Sequence, residues 1–374
     1  MLYYWGKGEM NMKIIFATGG TGGHLYPAIA LAKYLESHYE NVECMFVGTT
    51  NRLESKVIPE LGYPYRGVHV LGLAGSPLKK AKALAVFANS LRHTKKIVKE
   101  FKPDLVIGFG GYVSASIVLS ASRMNVKTMI HEQNSVIGLA NKILIKRVDK
   151  IVCCYDLAYS NFPSDKTYLL GNPRASEVVN QPKNPDVLKR YDLDPNKKTV
   201  LVVMGSLGSS TVNQTLEDAI YKIKDKDYQL LFVTGKNNYE QMKAKISQNQ
   251  PKNVKLVPYI DDMPSLLQMC HVVVSRAGAS TIAELTAIGS AMILIPSPYV
   301  ASNHQEFNAM ELVNKNAAVM IKENELTSDK LLSKIDEIMT QPLLFHSLKE
   351  NAKNLGRPNA CQDIADLIVE LIRK

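Results

Sequence analysis

The feature that most constrains the fold is the alternation of short β-rich runs with helical segments. The apolar runs of the first half are KIIFAT, VECMFVG, DLVIGFG, VKTMIHE and DKIVCCY. Amphipathic or alanine-rich segments such as HLYPAIALAKYLESH lie between them. Alternation of this kind is typical of a parallel sheet covered by helices.

The same pattern begins again at Thr199 with TVLVVMGSLGSS and continues through YQLLFVTG, VKLVPYI, HVVVSRAG and AMILIPS. Residues 171–198 separate the two halves, are rich in Pro, Asn and charge, and predict a linker with one short helix. We therefore expect an α/β protein with two Rossmann-like, doubly wound domains whose parallel sheets face each other across a cleft. A ligand would bind there, at the carboxyl ends of the strands.

Composition narrows the class of protein. A length of 374 residues suits two domains, and a net charge of +10 favours anionic partners. Aromatic and basic residues do not interleave as in nucleic-acid-binding proteins, so no nucleic acid is expected. No apolar run approaches the ~20 residues of a bilayer span. The five cysteines show no metal-binding spacing, which indicates reduced thiols. Residues 1–11 lack periodicity, and Met12 resembles a natural start.

The stretch TGGTGGHLYPA, residues 18–28, places glycines where a strand turns into a helix. Such a turn exposes backbone N–H groups to a ligand, and a helix start favours negative charge. The spacing is not GxGxxG, and the second strand ends in FVGTTN without an acidic residue to hold a ribose, so a dinucleotide is disfavoured. His24 lies at the helix start, which favours a neutral imidazole and makes it a candidate general base. The alternative is a hydrogen-bonded turn residue.

A second candidate site lies in SRAGASTIAELTAIG, residues 275–289. The helix start offers N–H groups and hydroxyls to a phosphate. Glu284 follows Ala279 by five residues, roughly 7.5 Å along a helix, and could accept a ribose diol. A solvated helix-face glutamate is the alternative. In SPYVASNHQEFNA, Asn303 and Gln305 either bind sugar hydroxyls or cap a helix.

Several motifs occur together and in a fixed order: GGTGGHLYPA, GFGGYVSA, HEQNSVIGLANK, GNPR, SRAGASTIAEL and QEFNA. The set resembles the MurG family of peptidoglycan N-acetylglucosaminyltransferases, in glycosyltransferase family 28. The resemblance implies a GT-B fold and an inverting transfer of GlcNAc from UDP-GlcNAc to the C4 hydroxyl of MurNAc in undecaprenyl-linked lipid I, giving lipid II. Another GT-B enzyme, such as a diacylglycerol glycosyltransferase or a UDP-GlcNAc 2-epimerase, is the alternative.

By motif position, the resemblance implies site residues. Those expected to bind UDP-GlcNAc are Thr21, Gly22, Gly23, Asn134, Arg174, Ser206, Ile260, Ala279, Ser280, Thr281, Glu284 and Gln305. Tyr112 belongs to the acceptor side. His24 and Glu132 are the candidate bases, although His131 and Glu132 could instead form a buried polar pair. Where relatives have GGSQGA and GNPVR, this chain has MGSLGS and GNPR, so the contacts of Leu207 and Arg174 differ or shift.

The segment 75–102 combines apolar and basic side chains. Such clusters favour anionic lipid surfaces, and the predicted membrane patch is Leu78, Lys79, Lys80, Lys82 and Phe87. An ordinary amphipathic surface helix is the alternative. The resemblance implies a peripheral protein on the cytoplasmic face of the bacterial membrane, in contact with other cell-wall synthesis proteins.

We expect an acceptor- and membrane-binding domain over residues 12–170, with a C-terminal helix at about 357–374 packing back on it. A linker over 171–198 leads into the second domain, and residues 199–356 bind UDP-GlcNAc. No DxD that would plainly hold Mg²⁺ or Mn²⁺ is found, so the sequence predicts no metal and no cofactor.

Overall fold

The computed structural model describes residues 11–72, 75–205, 208–246 and 250–374. Of the predicted loose leader, residues 1–11, only residue 11 is among the described residues. Ser206 lies outside them. The chain divides into two compact units. One comprises the chain up to Arg174 together with Asn359–Lys374, and the other is Ala175–Pro358.

The first unit is built on a parallel sheet with the order β3-β2-β1-β4-β5-β6-β7. Its strands are β1 (Met12–Ala17), β2 (Val42–Thr49), β3 (Tyr65–Val68), β4 (Leu105–Gly108), β5 (Lys127–Glu132), β6 (Lys150–Cys153) and β7 (Thr167–Leu169). Its helices are α1 (Gly22–His38), α2 (Glu54–Glu60), α3 (Pro77–Phe101), α4 (Gly111–Ser122), α5 (Leu139–Leu144), α6 (Asp156–Ser160) and, at the end of the chain, α16 (Ala360–Arg373).

The second unit has a parallel sheet with the order β10-β9-β8-β11-β12-β13. Its strands are β8 (Lys198–Val203), β9 (Tyr228–Val233), β10 (Val254–Val257), β11 (Val272–Ser275), β12 (Ala291–Leu294) and β13 (Val319–Met320). The helices from the unit boundary onward are α7 (Arg174–Val179), α8 (Asp186–Lys189), α9 (Ser210–Lys222), α10 (Tyr239–Ile246), α11 (Met263–Leu267), α12 (Ala279–Ala287), α13 (His304–Val313), α14 (Ser328–Thr340) and α15 (Pro342–Leu355).

The central strand β1 supplies both faces of the first core, because successive strand residues point to opposite sides of a sheet. Ile14 and Phe16 join one apolar cluster, whereas Ile15 and Ala17 join the other. The first cluster also contains Ile368 of α16, which packs against α1. The helix at the end of the chain thus completes the core of the unit at its beginning.

The observed strands include three that the apolar runs did not predict. β3, β7 and β13 each lie at the edge of a sheet and contain between two and four residues. An edge strand pairs on one side only and needs no long apolar run, so its sequence signal is weak. The predicted linker also contains two short helices, α7 and α8, rather than one.

Candidate active site

The glycine turn of the first unit follows β1, which lies between β2 and β4 in the sheet. The chain runs from β1 to β2 and β3 on one side and then crosses to β4 on the other side of β1. Open α/β sheets bind ligands at such a reversal of strand order. Thr21 is the N-cap of α1, and Gly22 is the first residue of that helix. Gly20, Thr21 and Gly23 are exposed, so this turn is open to a ligand.

His24 lies in the first turn of α1 and is half-buried. Its Nδ1 lies 2.8 Å from the carbonyl oxygen of Gly19. A carbonyl oxygen can only accept, so Nδ1 carries a proton, and in the neutral form of the ring Nε2 presents a lone pair. Among the described residues, the side-chain hydrogen bonds of His24 all involve Nδ1.

The turn after β4 shapes the space around this imidazole. Gly110 has a φ of +115°, and a Cβ built on it would lie 2.8 Å from Nε2 of His24. A Cβ on Gly111 would lie 2.9 Å from the carbonyl oxygen of Gly19. Both glycines are therefore needed for the close approach of the two turns. Tyr112, the predicted acceptor-side residue, follows them in the first turn of α4 and is half-buried.

Glu132 ends β5 and is buried, with both carboxylate oxygens engaged. Oε1 accepts from the backbone N–H of Asn134 at 3.1 Å, and Oε2 accepts from the N–H of Gly138 and from Nδ2 of Asn141, both at 2.9 Å. This carboxylate ties down the loop between β5 and α5. The geometry of Glu132 is that of a residue that positions its own loop.

His131 beside it is fully enclosed. Its Nε2 donates to the carbonyl oxygen of Gly171 at 2.9 Å, and its Nδ1 accepts from Nε2 of Gln133 at 3.0 Å. Burial lowers the pKa of His131 to about 4, so the ring is neutral at physiological pH. The sequence left two interpretations of the HEQN motif, a functional one and a buried polar pair. The contacts of His131 are those of a buried polar residue.

The sequence shows no acidic residue at the end of β2 to hold a ribose, and β2 ends at Thr49 without one. Glu54, the first residue of α2, folds back so that its buried carboxylate accepts from the backbone N–H and the hydroxyl of Thr49. Since Glu54 is fully buried and hydrogen-bonded within the protein, it is not placed to hold a ribose. Its carboxylate also accepts from the backbone N–H of Gly20, 34 residues earlier, and no linear motif contains such a pair.

The second unit contains a cavity of about 570 Å³ at the carboxyl ends of its strands. Four predicted residues line it: Ile260, Thr281, Glu284 and Gln305. Ala279 and Ser280 do not line it, although they form the first turn of α12 together with Thr281. The lining residues that sequence reasoning missed include Ser209, Tyr259, Met263, Arg276 and Tyr299.

Two helix starts border this cavity. Gly278 is the N-cap of α12 and lines the cavity, and the first backbone N–H groups of a helix have no acceptor within it. Ser209, the N-cap of α9, lines it from the neighbouring turn. Glu284 is buried on α12, and Oε1 of Gln305 accepts from the N–H of Ser297 at 2.9 Å. Donors suited to an anion and a carboxylate suited to hydroxyls thus face one space.

Arg276 adds a fixed positive charge. One of its guanidinium nitrogens lies 2.6 Å from Oε2 of Glu323, and the other donates to Oγ of Ser209 at 2.9 Å. The Arg276 side chain is only 12% exposed, so this ion pair is held in place rather than solvated. No local sequence pattern indicates this ion pair, because Glu323 lies 47 residues after Arg276 in the chain.

The remaining predicted donor-binding residues belong to the first unit: Thr21, Gly22, Gly23, Asn134 and Arg174. The guanidinium carbon of Arg174 lies 5.9 Å from the centre of the Tyr26 ring, a cation–π distance. The predicted donor residues are therefore distributed over both units.

The predicted membrane patch lies at the start of α3, where Leu78 is 82% exposed. Lys79, Lys80 and Lys82 are exposed beside it. Phe87 is different, since it is half-buried and packs against the core of the first unit. Phe87 is thus a packing residue as much as a surface one.

Within the described ranges, no helix is long and apolar enough to cross a bilayer. The same part of the chain contains no group of three or more His, Cys, Asp or Glu side chains that could hold a metal ion.

Two Rossmann-like units with parallel sheets define a protein of the GT-B fold class, as the sequence predicted. The chain belongs to glycosyltransferase family 28: the model of the family's N-terminal domain matches residues 14–153, and that of its C-terminal domain matches residues 199–368.

Named relatives support this assignment. A protein of Halalkalibacterium halodurans named UDP-N-acetylglucosamine--N-acetylmuramyl-(pentapeptide) pyrophosphoryl-undecaprenol N-acetylglucosamine transferase is 42% identical, over 97% of this chain and 100% of that protein. A protein of Limosilactobacillus reuteri with the same name is also 42% identical, over 97% and 98%. The resemblance to the MurG family is thereby confirmed.

Solved structures agree. The crystal structure of Acinetobacter baumannii MurG superposes with a TM-score of 0.78 at 25% identity, covering 96% of this chain and 99% of that one. A putative UDP-N-acetylglucosamine 2-epimerase from Listeria monocytogenes has a TM-score of 0.69 at 13% identity, covering 96% of each chain, and shares the fold.

Proposed function

We propose that this glycosyltransferase moves GlcNAc from UDP-GlcNAc to the C4 hydroxyl of MurNAc in undecaprenyl-linked lipid I, which gives lipid II for peptidoglycan synthesis. The observation that carries the proposal is the cavity of the second unit, in which a buried glutamate follows an open helix start. The names of relatives 42% identical to the chain supply the chemical identity of both substrates.

The cavity has the size and donors for the nucleotide sugar. Its volume of about 570 Å³ falls within the usual range of small-molecule sites. We assign the diphosphate to the start of α12 and to the charge of Arg276, since both favour an anion. Glu284 then accepts the ribose hydroxyls, the backbone at Ile260 meets the uracil, and Gln305 binds the sugar.

The reaction is a displacement at the anomeric carbon. The C4 oxygen of MurNAc forms the new glycosidic bond as the bond from that carbon to the phosphate oxygen breaks, and UDP takes the electron pair. The configuration at the anomeric carbon inverts, and the hydroxyl proton must go to a base. We assign that role to Nε2 of His24, because the oxygens of the rival Glu132 are engaged within its own loop.

We further propose that the protein is peripheral on the cytoplasmic face of the membrane, where its lipid-linked acceptor lies. Leu78, Lys79, Lys80 and Lys82 form the contact surface. Cations beside exposed apolar side chains favour anionic lipid.

The experiment that tests the function uses the purified chain, radiolabelled UDP-GlcNAc and a lipid I analogue, with the label followed into the lipid phase. We expect transfer that requires the analogue and that falls at least ~100-fold in His24→Ala. Transfer to diacylglycerol instead would identify the other kind of GT-B transferase. Release of UDP without any acceptor would identify an epimerase.

A further inference from the structure

One peptide group in the glycine turn has unusual partners on both sides. Its carbonyl oxygen, that of Gly19, accepts a hydrogen bond from Nδ1 of His24 at 2.8 Å. Its N–H, that of Gly20, donates to Oε1 of Glu54 at 3.2 Å. The carboxylate, the peptide group and the imidazole therefore form one continuous hydrogen-bonded chain.

We infer that Glu54 is a positioning residue for the reaction, which acts on His24 through the Gly19–Gly20 peptide group. The inference rests on the proposed function, in which Nε2 of His24 accepts the proton of the attacking hydroxyl. Glu54 does not touch the reacting atoms; it holds the peptide group that fixes the ring.

The physical basis is the polarisation of a peptide bond. A negative charge at the N–H end pushes electron density toward the carbonyl oxygen, because the C–N bond has partial double-bond character. Hydrogen bonds in a chain strengthen one another in this way. A stronger acceptor at Gly19 holds the proton on Nδ1 and leaves Nε2 free as the base. In the Ser-His-Asp triad a carboxylate selects the tautomer directly; here a peptide group lies between the two side chains.

The surroundings of Glu54 fit a carboxylate with this task. The side chain is fully buried, and Oε1 also accepts from the backbone N–H of Thr49 at 3.0 Å and from its hydroxyl at 2.7 Å. Three donors on one oxygen suit a carboxylate. Oε2 is buried and has no hydrogen-bond partner among the described residues. Among the described residues, no cation forms an ion pair with Glu54 that would offset its negative charge.

The sequence makes room for this carboxylate. A Cβ on Gly48 would lie 2.5 Å from Cγ of Glu54 and 2.5 Å from the hydroxyl oxygen of Tyr65, so only glycine fits there. Burial, and then the charge of Glu54, raise the pKa of Tyr65. Tyr65 stays protonated and donates to the carbonyl oxygen of Thr49, which keeps β2 and β3 closed around the buried acid.

The test is Glu54→Gln, which keeps the shape and an accepting oxygen but removes the charge. We expect kcat with the lipid I analogue to fall ~10-fold, less than the loss of the base itself. KM for both substrates should stay within about twofold of the unaltered chain. In ¹⁵N NMR of histidine-labelled protein, the His24 signal, assigned by its absence from His24→Ala, should shift from the Nδ1–H tautomer toward a mixture.

Two further variants distinguish positioning of the His24 ring from mere mechanical support of the glycine turn. Thr49→Val removes a donor to the same oxygen but keeps the carboxylate and its bond to Gly20, so its tautomer and kcat should match those of the unaltered chain. In His24→Ala, adding Glu54→Gln should lower the residual rate by less than about twofold, since the residue acts only through the imidazole.

The inference is wrong if Glu54→Gln leaves the His24 tautomer and kcat unchanged. It is also wrong if the fold-loss in rate of the double variant equals the product of the losses in Glu54→Gln and His24→Ala. A loss of activity in Thr49→Val as large as in Glu54→Gln would also overturn it, because mechanical support would then suffice. Failure of the proposed function is distinct: either the unaltered chain makes no lipid-linked product, or His24→Ala keeps its turnover.

Discussion

At the scale of single residues, the position of the imidazole depends on a neighbour that has no side chain. Gly110 lies against His24 and adopts a φ of +115°, a conformation that other residues rarely adopt. Two features therefore set the direction of the Nε2 lone pair. One is the hydrogen bond from Nδ1 to the carbonyl oxygen of Gly19, and the other is the absence of a side chain at Gly110.

Gly110→Ala should displace the ring. The new Cβ would lie 2.8 Å from Nε2, so His24 has to move. We expect kcat to fall at least ~10-fold, because a base must lie within hydrogen-bond reach of the proton that it takes. UDP affinity, measured by calorimetry, should not change, since the cavity is in the second unit.

The matched control is Gly62→Ala. Gly62 has a φ of +83°, and no atom lies within 4 Å of a Cβ built there. Like Gly110 it has a positive φ, but it does not contact the imidazole. Equal losses of kcat in the two variants would show that strain, and not displacement of His24, explains the effect.

His131 gives the first unit a predictable response to acid. Its pKa is about 4 when folded and near 6.5 when unfolded, so below pH 6.5 the unfolded chain binds the proton first. Stability should therefore fall as the pH drops from 6.5 to 4, by up to ~3 kcal/mol from this group. Urea unfolding across that range should show a shallower decline for His131→Asn than for the unaltered chain. The exposed His93→Asn should keep the full decline; equal slopes in all three proteins would contradict the assignment.

Residue-level prediction from the sequence was uneven for a physical reason. The cavity residues Thr281, Glu284 and Gln305 lie in stretches whose local pattern predicts a turn and a helix start, whereas Ile260 is implied only by the family resemblance. The roles of Glu54 and Arg276 depend on partners far along the chain, such as Gly20, which lies 34 residues before Glu54. No linear motif contains such a pair, so only the folded chain reveals it.

At the scale of elements, prediction worked where a run of apolar residues marks a strand buried on both faces. The stretches at β1, β4, β8 and β11 are of this kind and lie inside their sheets. The unpredicted strands are all short and at an edge. Sequence patterning thus located the centre of each sheet but not its full width.

Helix α3 is the element whose surface carries the proposed membrane contact. Replacing Lys79, Lys80 and Lys82 with glutamate should weaken binding to phosphatidylglycerol vesicles at least ~30-fold, since each cation contributes about 1 kcal/mol near an anionic surface. Vesicle sedimentation at low and at physiological salt measures this. Transfer to a soluble acceptor analogue should be unaffected.

Reversal of three exposed lysines of the second unit is the control: Lys197, Lys224 and Lys252. It changes the net charge of the chain by the same amount. If both triple variants lose vesicle binding equally, total charge rather than a surface on α3 attracts the lipid.

At the scale of the whole molecule, the two units carry different parts of the proposed reaction. The cavity with Glu284 and Arg276 belongs to the second unit, whereas His24, Glu54 and the surface of α3 belong to the first. Such a division lets donor affinity and proton transfer be altered separately.

This division predicts that one substitution lowers UDP affinity and another lowers kcat. Glu284→Ala should weaken UDP binding at least ~10-fold, because it removes a charged acceptor of the ribose hydroxyls, and should leave vesicle binding intact. His24→Ala should leave the Kd for UDP within about twofold while kcat falls at least ~100-fold. Exposed residues of the second unit, replaced as Glu350→Ala and His346→Ala, are the matched controls. A loss of UDP affinity in His24→Ala equal to that in Glu284→Ala would contradict the division, since one imidazole in the first unit would then be part of the nucleotide site.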